Sequence, residues 1–234
     1  MILHPVTLLA FDADDTLWHN ETVFKLTQER FADLLSDYSD PARLGQRLLA
    51  AERRNLAYYG YGIKGFTLSM IETAIEITEG KAPASLIAEI LAYARAMVEH
   101  PVETLPEVRE TLEELQSRFP LVLITKGDLF DQERKLAQSG LGELFRAVEI
   151  VSEKDAATYS KLFQRHGQGA EGAVMVGNSL KSDIVPVLEA GGSAVYVPHE
   201  LSWELEHAEE PVAARRYHRL ERIAQLPSLL QVGI

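Results

Sequence analysis

The 234-residue sequence contains no cysteine. That removes disulfides, thiolate zinc sites, iron–sulfur clusters and cysteine nucleophiles at once. Positive charge is in the minority, with 23 Lys and Arg against 35 Asp and Glu and a net charge of −12. Such a chain repels phosphate backbones and anionic lipid surfaces, so neither a nucleic-acid polymer nor a membrane is an expected partner. No apolar run approaches the about 20 residues of a membrane-spanning helix. The opening MILHPVTLLAFDADD has no basic stretch, and acids cut off its short apolar run, unlike a secretory signal. The expected location is a reducing compartment, the cytoplasm. What remains is ordinary globular composition, 46% hydrophobic and 25% charged. It suits one large domain or one domain carrying an insertion.

Short apolar runs mark the candidate strands. Val6 to Phe11 ends in acids, and four similar runs come much later, at 121–125, 147–151, 173–176 and 193–197. Helix-patterned stretches at 128–140, 156–166 and 182–190 separate the later runs. Strands alternating with helices predict βαβ units, a doubly wound parallel sheet with right-handed crossovers, and an α/β fold. The gap between the first two strands is different. Val23, Leu26, Phe31, Leu34 and Leu35, then Ile71, Ala74, Ile75 and Thr78, repeat at helical spacing, and 84–98 continues the pattern. A helical cap domain over 18–100, inserted into a core made of 1–17 and 101–234, is the expected organisation. Leu17 to Glu21 and the proline-bearing HPVETLP at 100–106 are the expected linkers.

Chemistry-bearing residues lie just past the strands. Asp12, Asp14 and Asp15 come directly after the first. Carboxylates this close repel one another and call for a cation or a shared proton, unless they form a solvated acidic turn. The second strand ends in Thr125-Lys126-Gly127-Asp128, where a hydroxyl and backbone amides at a strand-to-helix turn suit a phosphate. Lys154 comes after the third strand as a point charge for an anion. Asn178 and Asp183 come after the fourth and offer oxygen ligands. In open α/β sheets this edge, beyond the carboxyl ends of the strands, is where ligands bind.

These four segments resemble the motifs of the haloacid dehalogenase-like (HAD) hydrolases. FDADDTLW is similar to the Asp-x-Asp-x-Thr motif, LVLITKGD to the second, Lys154 to the third and VGNSLKSDI to the fourth. The family's fold is a Rossmann-like core, and its first type of cap is a helical insertion in this position. The resemblance implies a phosphatase of small-molecule phosphate esters with Asp12 as nucleophile, an aspartyl-phosphate intermediate, and Asp14 as acid and then base. It further implies Mg2+ held by the Asp12 carboxylate, the Asp14 carbonyl, Asn178 and Asp183. Thr125, Lys154 and the amides of Lys126 and Gly127 would bind the phosphoryl oxygens. Asn178 stands where the family pattern has Asp, which makes Asp183 the expected principal metal ligand of that loop, with helix capping as its rival role. Halide displacement needs no acid two residues after the nucleophile, so Asp14 favours phosphate esters over dehalogenation. Phosphonate cleavage, a receiver-like phospho-acceptor and a non-catalytic binding protein are the alternatives.

Three further patterns carry less. Gly60-Tyr61-Gly62-Ile63-Lys64-Gly65 matches G-x-G-x-x-G but comes after a helical stretch where the dinucleotide fingerprint needs a strand, so a loop between helices is expected. Its Tyr61 and Lys64, with Tyr58 and Tyr59 before them, are candidates for substrate selection. Gly177-Asn178-Ser179 has the setting of a serine-nucleophile elbow, but Lys181 stands where that motif requires Gly.

Overall fold

The computed structural model describes Ile2 and residues 5–230. The chain forms two compact units, one of 1–19, 102–126 and 133–234, the other of 20–101 and 127–132.

The second unit is helical: α1 (Glu21–Leu34), α2 (Pro41–Tyr59), α3 (Ile63–Ile77) and α4 (Ala84–Glu99). Asp40 caps α2 by accepting from the Arg43 amide, with Pro41 at the first helical position, where its missing N–H costs nothing. The buried stripe of the unit is Phe31, Leu35, Leu44, Leu48, Ile63, Phe66, Met70, Ala74, Leu86, Ile90 and Met97. Leu26 and Ile75, expected inside by their spacing, are exposed; Phe31 and Leu35 supply that part of the core. The glycine-rich segment is the turn between α2 and α3. Gly60 (φ 67°) and Gly62 (φ 100°) adopt left-handed backbone there. A helix, not a strand, precedes it.

The first unit is built on a parallel sheet: β1 (Leu8–Phe11), β2 (Leu121–Lys126), β3 (Ala147–Val151), β4 (Ala173–Gly177), β5 (Ser193–Tyr196) and β6 (Tyr217–Arg219), in the order β3-β2-β1-β4-β5-β6. The sheet and its flanking helices form the Rossmann-like α/β core that the strand and helix pattern predicts. β6 lies in a stretch with no clear sequence pattern. It is a three-residue edge strand whose side chains are only half buried or exposed, too short for alternation to register.

The central strands are apolar on both faces, as a doubly covered parallel sheet requires. Leu9, Phe11, Leu121, Leu123, Val174 and Val176 pack against α5 (Val108–Gln116), whose Val108, Leu112 and Leu115 face them. Leu8, Ala10, Val122, Ile124, Ala173 and Met175 pack on the other side against Tyr159, Leu162 and Phe163. Between β2 and β3 runs α6 (Leu129–Ser139), and between β3 and β4 runs α7 (Ala156–His166), the latter capped by Asp155 on the Thr158 amide at 2.7 Å. The helix expected at 182–190 divides into a π-helical turn, Leu180–Ile184, and then α8 (Val185–Glu189); a last short helix, α9, spans Leu226–Leu229.

The order of strands reverses between β1 and β4. From β1 the chain progresses one way to β2 and β3, and from β4 the other way to β5 and β6. The crevice beyond the carboxyl ends of two such strands is where doubly wound sheets bind ligands.

Candidate active site

Asp12 is the first residue past β1, anchored by its amide donating to the Val176 carbonyl at 2.9 Å. The chain then turns sharply. Asp15 takes a left-handed conformation (φ 57°), and the Leu17 amide donates back to the Ala13 carbonyl at 2.8 Å. Short bridges from Asp14 to Trp18 and from Trp18 to Thr104 fix the return. Trp18 is fully buried, and its indole N–H donates to Asp14 Oδ1 at 2.7 Å. His19 stacks edge-on against His199.

Lys154, from the loop after β3, reaches the centre. Its ammonium donates to Asp12 Oδ1 and, at 2.7 Å, to Asp183 Oδ1. All three groups are buried. Burial alone would push the lysine down, but Asp12 and Asp183 outweigh it and hold its pKa above the ordinary value. Burial, then the charge of Asp183, push the Asp12 carboxyl up against the opposing pull of Lys154. With both carboxyls ionised the trio carries one more negative than positive charge, a balance that a cation would relieve.

The loop after β4 completes the cluster. Asp183 Oδ2 accepts from the Ser179 amide at 3.0 Å, and Oδ1 lies 3.5 Å from the Tyr159 hydroxyl. The cap of the π-helical turn is Ser179, whose hydroxyl accepts from the Ser182 amide while its own amide donates to Asp183, so Asp183 both braces the start of the turn and faces Lys154. Burial and the nearby Asp183 raise the Tyr159 pKa and keep it a hydroxyl donor, here to the Ser182 carbonyl at 2.9 Å. The end of the Asn178 carboxamide lies 3.1 Å from Thr16 Oγ1, 3.1 Å from the Asp14 carbonyl oxygen and 3.2 Å from Asp12 Oδ2. With nitrogen turned inward it donates to these oxygens. With oxygen turned inward, oxygens crowd together unless a cation lies among them.

This donor set fits Mg2+. Every donor is a hard oxygen, from Asp12, the Asp14 carbonyl, Asn178 and Asp183. Of these, the Asn178 carboxamide end lies 3.1 Å from the Asp14 carbonyl and 3.2 Å from Asp12 Oδ2. Among the described residues no three His, Asp or Glu side chains gather into a ready metal cage.

The other expected phosphate-binding residues divide. Thr125 is buried near the end of β2, beside the strand that delivers Asp12. The Lys126 ammonium is held at 2.6 Å by Glu206 and at 2.7 Å by Ser182, turned away from the role of a phosphate-binding charge. Gly127 has φ 148°, and a Cβ there would stand 2.8 Å from Gln132 Nε2, so the turn after β2 needs glycine. Asp128 is paired with Lys64 at 2.9 Å, which holds its carboxyl below the ordinary value.

Two residues escape a reading by motif. Lys135 on α6 donates to Asp14 Oδ1 at 2.6 Å. Its signal is a polar stripe, Asp131, Gln132, Lys135 and Ser139, at the buried positions of a helix whose exposed residues include Leu129 and Phe130. Glu206 binds Lys126, Ser179 and Ser182 from a single 3-10 turn, Glu204–Glu206, with no sequence signal.

Comparison with known proteins agrees with this geometry. The family model for haloacid dehalogenase-like hydrolases matches residues 6–191. A glyceraldehyde 3-phosphate phosphatase of Methanothermobacter thermautotrophicus is 27% identical over 208 residues, covering 86% of this chain and 89% of its own. The 5-amino-6-(5-phospho-D-ribitylamino)uracil phosphatase YigB of Escherichia coli is 25% identical, covering 96% of both chains. A haloacid dehalogenase-like family hydrolase from Xanthomonas campestris superposes with a TM-score of 0.86 at 44% identity, covering 97% of this chain and 91% of that one. A match spanning all four motif segments, on a fold with the matching sheet, places the chain among the haloacid dehalogenase-like hydrolases.

Proposed function

We propose that this hydrolase cleaves small-molecule phosphate monoesters, with Asp12 as the nucleophile. The observation that carries the reading is the pairing of two acids with different surroundings. Asp12 is sealed in the buried cluster against Lys154, while Asp14, two residues on, is only partly buried. A nucleophile and a separate proton carrier are what a phosphate ester with a basic leaving oxygen requires, and a halide would need only the first.

Asp12 attacks phosphorus, the bond from phosphorus to the ester oxygen breaks, and the proton of Asp14 goes to that oxygen. Asp14, now a carboxylate, takes a proton from water, whose oxygen attacks the aspartyl-phosphate and releases phosphate and the Asp12 carboxylate. Lys154, Thr125 and the amides after Thr125 neutralise and orient the phosphoryl oxygens. Asp12, the Asp14 carbonyl, Asn178 and Asp183 would hold Mg2+, which supplies charge neutralisation between the attacking carboxylate and the anionic substrate. We assign the block 18–100 the role of a substrate-selecting cap on a core of 1–17 and 101–234, and the cytoplasm as the site of action. No helix among the described residues is long and apolar enough to cross a membrane.

The test is phosphate release from a panel of monoesters with added Mg2+. The panel starts with glyceraldehyde 3-phosphate and the phosphoribitylamino-uracil that the two relatives' names specify. Catalytic turnover lost in Asp12→Asn supports the reading. Uptake of a single phosphate per chain without turnover would instead favour a receiver-like acceptor.

A further inference from the structure

We infer that Lys135 is a positioning residue for proton transfer, holding the Asp14 carboxyl where the leaving oxygen needs it. The inference rests on the phosphatase reading and extends it to a residue outside the four motifs. Lys135 is buried on α6, with a side chain 9% exposed, and its ammonium lies 2.6 Å from Asp14 Oδ1. The same oxygen accepts the Trp18 indole N–H at 2.7 Å.

Two donors of different origin therefore meet on one oxygen. Trp18 comes from the turn just past the nucleophile and is bridged to Thr104. Lys135 comes from the helix after β2. An aspartate side chain has two torsions, and two hydrogen bonds to one of its oxygens fix both, so the carboxyl plane and the direction of its second oxygen are set. Proton transfer demands donor and acceptor at hydrogen-bond distance, and a carboxyl free to turn spends most of its time misaligned. Burying an ammonium is costly without a charged partner, and the Asp14 carboxyl supplies one at 2.6 Å.

The experiment compares kcat/KM for an alkyl phosphate and for p-nitrophenyl phosphate in the full chain with saturating Mg2+. kcat/KM stops at the first irreversible step, departure of the leaving group, and nitrophenolate needs little help from a proton. Lys135→Met should lower kcat/KM for the alkyl ester about 10- to 100-fold and for the aryl ester less than about 3-fold. Trp18→Phe should show the same selectivity at smaller size, and it carries the test if Lys135→Met does not fold. In an Asp14→Asn background, Lys135→Met should cost no further factor on the alkyl ester, since there is no proton left to position.

Equal losses on both esters, with Asp14→Asn remaining selective, would overturn the inference and leave Lys135 a structural counter-charge. Additive losses in the double variant would do the same. An unselective Asp14→Asn would remove the acid role itself, and with it both the phosphatase mechanism and the function given to Lys135.

Discussion

Gly177, the last residue of β4, lies so close to Asp183 that a Cβ on it would stand 2.3 Å from Oδ2 and 2.4 Å from the carboxyl carbon. The absence of a side chain at 177 is what lets the Asp183 carboxylate fold back under the loop, toward the Ser179 amide and Lys154. Gly177→Ala must therefore push the carboxylate aside. The expected cost is about 1–3 kcal/mol of stability from overpacking. Activity should fall further than that destabilisation explains, with a higher Mg2+ concentration for half-maximal rate. A melting curve and an Mg2+ titration of the rate check both. A Gly177→Ala protein with wild-type Mg2+ response would show that Asp183 has no part in binding the ion.

Glu206 is the second support of that loop. Burial alone would raise its carboxyl, but the ion pair with Lys126 and the hydroxyls of Ser179 and Ser182 outweigh burial and hold it below the ordinary 4.5. A carboxylate with a depressed folded-state pKa contributes stability that is present above the unfolded value and lost as pH falls through the folded one. Glu206→Gln removes the charge 2.6 Å from the partly buried Lys126 ammonium, which keeps Glu153 at 3.7 Å, and should cost about 1–3 kcal/mol at neutral pH. The gap between wild type and variant should close as pH drops below the ordinary 4.5, because the wild type loses the same interaction by protonation. Denaturant melts at about pH 7 and about pH 3.5 measure the two gaps. A constant gap would mean that the charge of Glu206 is not what stabilises the loop.

The order of motifs makes most of the site legible in the amino-acid sequence. Asp12, Lys154 and Asp183 are far apart in the chain, yet each lies just past a strand, and parallel strands carry the residues at their carboxyl ends to one edge. The illegible remainder depends on side-chain direction. Lys126 stands among phosphate-binding residues in sequence, but its ammonium turns to Glu206. Lys135 belongs to the polar stripe that α6 buries, and only that burial marks it. Leu26 and Ile75 fit the helical period yet face solvent, since a periodic pattern defines a stripe and not which of its flanks is covered. β6 pairs through backbone hydrogen bonds with β5, which need no hydrophobic alternation.

Asp12→Asn should abolish turnover, by about 10³-fold or more, because an amide oxygen is a poor nucleophile. The fold should survive, since Lys154 retains Asp183 as a partner and the crowding of two buried carboxylates is relieved. Phosphate release and a thermal melt are the measurements. Intact-mass analysis of acid-quenched wild type during turnover should reveal a phosphorylated chain that Asp12→Asn lacks. A phosphorylated Asp12→Asn chain would move the nucleophile elsewhere.

In the proposed Mg2+ site the two residues after β4 would divide the work of holding the ion, and opposite substitutions separate their shares. Asp183 contributes a charge and Asn178 a neutral carboxamide that reaches the Asp14 carbonyl and Asp12 Oδ2. Asn178→Asp places a carboxylate against those two oxygens. Without Mg2+ the repulsion should lower the melting temperature. With Mg2+ the added charge becomes a ligand, so the gain in melting temperature on adding the ion should exceed that of wild type. Asp183→Asn should show the reverse, a smaller gain and an Mg2+ requirement raised about tenfold or more. An ion that binds only the folded state stabilises by RT ln(1 + [L]/Kd), so the melts report affinity without reference to turnover. Ca2+ should give a different ranking of the two variants, because it accepts more carboxylates and looser spacing. If the Mg2+-dependent gain is unchanged in Asp183→Asn and vanishes in Asn178→Asp, the assignment reverses. Asp183 would then serve only to hold Lys154, and the carboxamide of Asn178 would be the ligand that matters.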